Sequence, residues 1–168
     1  MECRYESDLT DDIILLYEGS FSDIEKVPLD NIRRTFGNGG ELMSYHDEGA
    51  FVGFSFSFIN GGNMFLVYLA TCPHLRSKGY GSKMLAHMRE DHPDKVIFLP
   101  MEPLDPDAPD IALRERRHGF YIRNGCRDSD FTVISDGFPF MVLFLQGTAG
   151  MEDVVSTIGT YEDIHNGR

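Results

Sequence analysis

Seven consecutive residues, Arg76-Ser77-Lys78-Gly79-Tyr80-Gly81-Ser82, concentrate the chemistry most easily read from this chain. Glycine lets a backbone come close to a ligand and adopt torsions that a Cβ disfavours. Arg76 and Lys78 place full positive charges beside the two glycines. If a helix opens here, its first amides have no internal acceptors and point outward, and the macrodipole adds about half a positive charge. Such a turn can seat a phosphate. Three familiar phosphate loops fail on spacing. A P-loop requires a glycine, four residues and then Gly-Lys-Ser/Thr, which this segment lacks. A dinucleotide fingerprint requires a third glycine three residues after Gly81, and that position is Met84. A kinase glycine-rich loop requires the same third glycine. A glycine turn without a ligand is the plain alternative.

Other candidate groups point away from metal and disulfide chemistry. Cys3, Cys72 and Cys126 are odd in number and far apart, unlike a disulfide framework or a zinc ribbon. They read as small buried hydrophobes. His87 and His92 do not share a helix face. Asp105, Asp107 and Asp110 lack the glycine and the final glutamate of a calcium loop. No metal is expected. The formal net charge of -12 disfavours a nucleic-acid partner and favours a cationic substrate such as a free amine. Basic residues nevertheless collect in two islands, His74 to Arg89 and Arg114 to Arg127. These read either as a site for an anionic ligand or as solvated helix faces.

The elements that must position the turn follow from periodicity. Residues 1–7 alternate weakly, as an edge strand does. Residues 10–21 and 30–36 read as helices, joined by a loop over 21–28. Strands are expected over 41–45, 50–59 and 64–71, with turns at His46-Asp47-Glu48-Gly49 and Asn60-Gly61-Gly62-Asn63. Val52, Phe54, Phe56 and Phe58 alternate with small residues, so one face of the second strand is apolar. The third is almost continuously apolar, which implies burial on both faces. A helix over 79–91 follows the turn, with Met84, Leu85 and Met88 as its stripe and Pro93 as its stop. Residues 95–99 form another buried strand. A helix with Asp107 as N-cap runs to Asn124-Gly125, and a hairpin over 131–134 and 138–145 turns at Ser135-Asp136-Gly137.

This order predicts one domain over residues 1–146, an α/β mixed sheet of six or seven strands with helices on both faces. A polar tail over 147–168 is expected, with a short helix over 151–158. No apolar run reaches the length of a membrane span, and the first residues lack a secretion signal. The chain is therefore expected to be soluble and cytoplasmic.

The strand, the turn and the helix together match Arg/Gln-x-x-Gly-x-Gly/Ala, the pyrophosphate-binding motif of the GNAT superfamily of N-acetyltransferases. Leu66-Val67-Tyr68-Leu69-Ala70-Thr71-Cys72-Pro73 resembles that family's central strand, and Gly119-Phe120-Tyr121-Ile122-Arg123-Asn124-Gly125-Cys126 resembles the end of its late helix. The resemblance covers roughly residues 51–145. It implies the GNAT fold and acetyl-CoA as co-substrate, with its pyrophosphate on the amides of Arg76, Ser77, Lys78, Gly79, Tyr80, Gly81 and Ser82. It places the pantetheine arm beside Leu69, Ala70 and Thr71, where the central strands splay and the Leu69 amide polarises the acetyl carbonyl.

The reaction implied is transfer of the acetyl group to a primary amine of a small-molecule or peptide acceptor by direct attack within a ternary complex. Tyr121 matches the tyrosine near the departing sulfur. A phenol is less acidic than a thiol, so stabilising the sulfur by a hydrogen bond is the safer role than donating the proton outright. The plain reading of Tyr121 is a core aromatic beside Phe120. Glu102 is the first candidate for the general base that takes the amine proton, and otherwise an ordinary surface carboxylate. Tyr68 and His74 are weaker candidates. Arg114 stands where many relatives carry asparagine, and Arg117 one turn before Tyr121 is assigned to CoA phosphate or to solvent. Cys126 replaces a usual phenylalanine, a packing change. The loop with Glu25 is expected to form one wall of the acceptor site. Homodimers are common in the family. A non-catalytic acyl-CoA-binding or sensing module on the same fold satisfies the same motifs.

Overall fold

The computed structural model describes every residue except Ile24 and Asp136. Seven strands, β1 (Glu2–Glu6), β2 (Gly40–Asp47), β3 (Ala50–Asn60), β4 (Asn63–Thr71), β5 (Val96–Met101), β6 (Arg127–Ser135) and β7 (Phe138–Gln146), form one sheet in the order β1-β2-β3-β4-β5-β7-β6. Neighbours are antiparallel except β4 and β5, which are parallel. The helices are α1 (Asp11–Ser20), α2 (Leu29–Thr35), α3 (Tyr80–Asp91), α4 (Ile111–Arg123) and α5 (Met151–His165), and a 3-10 turn spans Pro73–Leu75.

Burial divides the molecule into two layers on either side of the sheet. Ile13, Leu16 and Tyr17 of α1, Ile32 of α2 and Val154, Ile158 and Tyr161 of α5 pack on Phe54, Phe56, Phe58, Phe65 and Phe98 of one face. This is the aromatic stripe visible as alternation in β3. On the other face Leu85 and Met88 of α3 join Met64, Leu66, Ile97, Leu99 and Leu143, with Phe120 and Tyr121 of α4 against them. Helices therefore cover both faces, as the mixed pattern predicts. The close seat of α3 has a cause in β3: a Cβ on Gly53 would fall 2.5 Å from Met84 Cε and 2.2 Å from the Ala70 carbonyl oxygen. Gly53 lets the helix that follows the turn lie directly on the strands.

Several boundaries differ from the sequence expectations, each for a local reason. β5 continues past Leu99 through Pro100 to Met101, because β7 pairs with it as far as Met101↔Met141. β6 begins at Arg127, four residues before the expected start, and its register slips between Asp128 and Thr132. Asp107 is not the N-cap of α4. That position is Asp110, whose carboxylate takes Arg114 Nε at 2.8 Å instead of capping a backbone amide. α5 is longer than the expected helix over 151–158, running 15 residues. Its polar appearance hides one buried stripe of Val154, Thr157, Ile158, Tyr161 and His165. The turn at Ser135-Asp136-Gly137 and the loop over 21–28 each include a residue outside the described ones. No helix among the described residues is long and apolar enough to cross a membrane.

Candidate active site

The site is created by an interruption in the sheet. β4 and β5 pair only at Asn63↔Val96, Met64↔Ile97 and Phe65↔Phe98. Beyond Phe65 the two strands part. At the same point β4 carries a bulge: Phe56 faces Tyr68 while Ser57 faces Leu66, leaving Val67 as the extra residue. Val67 and Tyr68 consequently both pack towards the α1 side, and Leu69 turns to the α3 side.

The bulge decides which backbone groups face the gap. The Cys72 amide donates to Val52 O at 2.9 Å, towards β3. Amides alternate along an extended strand. Those of Leu69 and Thr71 therefore point the other way, into the space that β5 has left. These are strand amides without a strand to receive them, as an extended ligand or an oxyanion requires.

At the end of β4 the chain passes through the 3-10 turn into α3. Gly79 is the N-cap, at φ 84°, and Ser77 is also left-handed at φ 63°. The first helical bond runs from Lys83 N to Gly79 O at 3.1 Å. Among the described residues, the amides of Ser77, Gly79, Tyr80, Gly81 and Ser82 donate to no acceptor. Nothing lies within 4 Å of a Cβ placed on Gly79, so torsion alone selects glycine there. Gly81 has a different reason. A Cβ there would stand 2.9 Å from Phe120 Cζ, so this glycine admits the α4 ring against the start of α3.

Arg76 and Lys78 are exposed and make no ion pair among the described residues. The second basic island is different. Arg114 is held by Asp110 and the Pro103 carbonyl, and His118 by Asp128. Arg117 Nη1 lies 2.8 Å from Glu102 Oε2 and 3.5 Å from Glu25 Oε1. In the first island, Arg89 bonds the carbonyls of Leu145 and Asn124. Free cations thus remain at the turn, while Arg117 is engaged by carboxylates from two other elements. Tyr80 fixes the turn from outside, its hydroxyl donating to Asp47 Oδ2 at 2.7 Å. This bond holds the Asp47 carboxyl below the usual range.

Tyr121 lies on the α4 face that packs against the cluster around Leu66 and Leu99, where Leu69 also packs. Its ring meets that of Phe120 at 5.2 Å between centroids. Phe120 thus links Gly81 of the turn to Tyr121. The Tyr121 hydroxyl makes no hydrogen bond among the described residues. Burial pushes its pKa up to about 12; Arg117 acts against this, and Cys126 and Glu102 add to it. Cys126 is buried, with its thiol pushed up to about 11 mainly by that burial, and is a packing residue.

Glu102 follows immediately after β5 and is brought to Arg117, one turn before Tyr121 on α4. Tyr68 reaches this group only through the backbone of Glu25, and His74 lies apart from it. The Tyr68 hydroxyl donates to the Glu25 carbonyl at 2.7 Å, and burial pushes its pKa far above the usual phenol value, which keeps it protonated. His74 is exposed at the 3-10 turn. It borders a separate apolar hollow of about 540 Å³ between α1 and Phe51, Cys72 and Pro73. Sequence reasoning missed the anchoring of the loop before α2. Tyr17 OH donates to Val27 O and accepts from Val27 N, and Ser22 donates through both its amide and its hydroxyl to Glu25 Oε2. The second arrangement was legible: Ser22 and Glu25 have the spacing of a capping box. The β4 bulge left no signal in the sequence.

A family model described as the acetyltransferase (GNAT) family matches residues 9–120. The chain belongs to the GNAT acetyltransferase family. No curated protein matches it in sequence. Among solved structures, a putative GNAT acetyltransferase from Bacteroides thetaiotaomicron is 22% identical with a TM-score of 0.71, covering 97% of this chain and 96% of that one. A Bacillus subtilis acetyltransferase in complex with CoA is 14% identical with a TM-score of 0.63, covering 88% and 99%. The aminoglycoside 6'-N-acetyltransferase of Enterococcus faecium is 12% identical with a TM-score of 0.63, covering 89% and 100%. At these identities the likeness extends to the GNAT fold, and the matched family supplies the acyltransferase class.

Proposed function

We propose that this GNAT protein transfers the acetyl group of acetyl-CoA to a primary amine of a small molecule, by direct attack while both are bound. The observation that carries the reading is the convergence at one gap. Leu69 and Thr71 turn free amides into it, the α3 turn closes one end, and the unpartnered Tyr121 hydroxyl lies on the helix beside it. The CoA complex of the Bacillus subtilis structure supports the co-substrate, and the aminoglycoside enzyme supports a small-molecule amine.

The residues fit the group they would hold. Ser77, Gly79, Tyr80, Gly81 and Ser82 offer amides to a pyrophosphate, with Arg76 and Lys78 as unpaired cations beside them. Ala70 contributes the strand between the two free amides. Acetyl-CoA brings an acetyl group already activated as a thioester. The Leu69 amide stabilises negative charge that builds on the carbonyl oxygen. Tyr121 donates a hydrogen bond to the departing sulfur. Glu102 accepts the proton that the acceptor's ammonium must lose before its nitrogen can attack, through its Oε1, which has no partner among the described residues, or through water. Arg117 holds the other oxygen and so fixes the carboxylate. Its assignment to CoA phosphate gives way here to this positioning role, because its Nη1 already faces two carboxylates.

The test is a free-thiol assay with acetyl-CoA and a panel of small amines, run beside a thermal-shift titration with CoA. Thiol release that depends on the amine supports transfer. A CoA-dependent rise in melting temperature with no thiol release from any amine would identify a binding module instead.

A further inference from the structure

We infer that the acceptor carries a second positive charge besides its reacting amine, and that Glu25 receives it. This inference rests on the acetyl-transfer reading above and specifies its acceptor.

Three charged groups from three elements meet at the mouth of the gap: Glu25 from the loop before α2, Glu102 after β5 and Arg117 on α4. Each is about one-quarter to one-third exposed, at 32%, 25% and 31%. Two carboxylates share one guanidinium nitrogen, and the sharing is unequal. Arg117 Nη1 hydrogen-bonds Glu102 at 2.8 Å, whereas at 3.5 Å it forms with Glu25 an ion pair and no hydrogen bond. Lys26, the neighbour of Glu25 in the chain, is committed to Glu18 and Asp23, and Arg114, one turn before Arg117, to Asp110. One negative charge is left over in a partly desolvated cleft.

Glu25 is also held in place. Its Oε2 accepts from Ser22 N at 2.9 Å and Ser22 Oγ at 2.8 Å, and its carbonyl accepts from the buried Tyr68 hydroxyl. This local turn fixes where the carboxylate points. The fixed carboxylate leaves one oxygen, Oε1, that accepts no hydrogen bond among the described residues and lies on the side of Arg117. Glu102 can neutralise only the proton leaving the reacting nitrogen. A cation retained through the reaction is what Glu25 Oε1 is placed to bind. A single-charge amine would leave that oxygen unmatched. An amine bearing a carboxylate would meet two carboxylates, although the Nε and Nη2 edge of Arg117 has no protein acceptor among the described residues.

Three acceptors of matched length separate the possibilities: 1,4-diaminobutane, butylamine and 4-aminobutanoate, whose far ends are cationic, neutral and anionic. The full chain is assayed with acetyl-CoA by thiol release, and the series is repeated with six-carbon counterparts. The diamine is expected to exceed butylamine by about tenfold in kcat/KM, chiefly through KM, and the amino acid to be poorest. The advantage should shrink with added salt. Glu25→Gln should reduce the diamine-to-butylamine ratio to about twofold or less; because both acceptors are measured on one preparation, the ratio is independent of the folded fraction. Equal use of butylamine and diamine overturns the inference and leaves acetyl transfer intact. So does preference for the amino acid, or a ratio that survives Glu25→Gln. Absence of thiol release with every amine overturns both readings.

Discussion

Replacing Tyr121 with phenylalanine isolates one atom whose structural and chemical roles differ sharply in size. Its hydroxyl has no hydrogen-bond partner among the described residues, so removing it orphans no buried group. The folding cost should be below about 0.5 kcal/mol, or within about 2 °C in melting temperature. In the proposed reaction the same hydroxyl would face a sulfur that gains negative charge. A hydrogen bond to a charged group contributes about 1.5–3 kcal/mol, which corresponds to a fall in kcat of about 10- to 150-fold. Full proton donation is a different matter. With Tyr121 pushed up to about 12 and a thiol near 8.5, it is uphill by about 5 kcal/mol. The hydrogen-bonding form is the protonated one and is lost only as pH rises through the raised pKa. The tyrosine should therefore impose no alkaline limb on kcat below about pH 10. Steady-state kinetics by thiol release, calorimetry with CoA and thermal denaturation give the three numbers. An unchanged kcat, or a loss of CoA affinity or stability that accounts for the fall, would refute the role.

Four further outcomes concern the turn and the ligand it would hold. Gly79→Ala should cost about 1 kcal/mol from its left-handed torsion alone, since nothing crowds the position; chemical denaturation measures it. Gly81→Val should instead drive into Phe120, costing about 1–3 kcal/mol and lowering turnover through Tyr121; adding Phe120→Leu should recover part of the stability, and purely additive losses would contradict the contact. Arg76→Gln and Lys78→Gln should each weaken CoA binding several-fold at low salt and much less at high salt, since both cations are exposed. CoA at about 100 times its Kd should stabilise the fold by about 2.7 kcal/mol, a rise of roughly 5–11 °C in melting temperature.

The strand-turn-helix was legible because its signals are local. An apolar run, a proline, two glycines and a 3.6-residue stripe identify β4, the turn and α3 without knowledge of the rest. The family resemblance then added the splayed strands and Tyr121. What could not be read depends on contacts across the fold. Gly81 looks like a phosphate glycine in sequence, and only the α4 ring above it shows that packing also demands it. Arg117 looks like a free cation until Glu25 and Glu102 arrive from 92 and 15 residues away. The insertion of β7 between β5 and β6 reverses the sequence order of the last hairpin, and nothing within those strands encodes it. α5 was underestimated because one buried residue per turn is enough to seat a helix whose composition reads as polar.

The three-residue pairing of β4 with β5 also has a mechanical meaning. The sheet is two sub-sheets, β1 to β4 and β5 to β7, hinged at one corner. An open seam through the middle of a sheet presents two bare strand edges, the feature by which β proteins recruit foreign strands and aggregate. Here the co-substrate's extended arm would lie along the exposed edge of β4 as a removable staple. Native-state hydrogen exchange should therefore be fastest, among the central strands, at Leu69 and Thr71, and should slow there when CoA binds. A bound co-substrate would then protect the seam from foreign strands as well as supply the reaction.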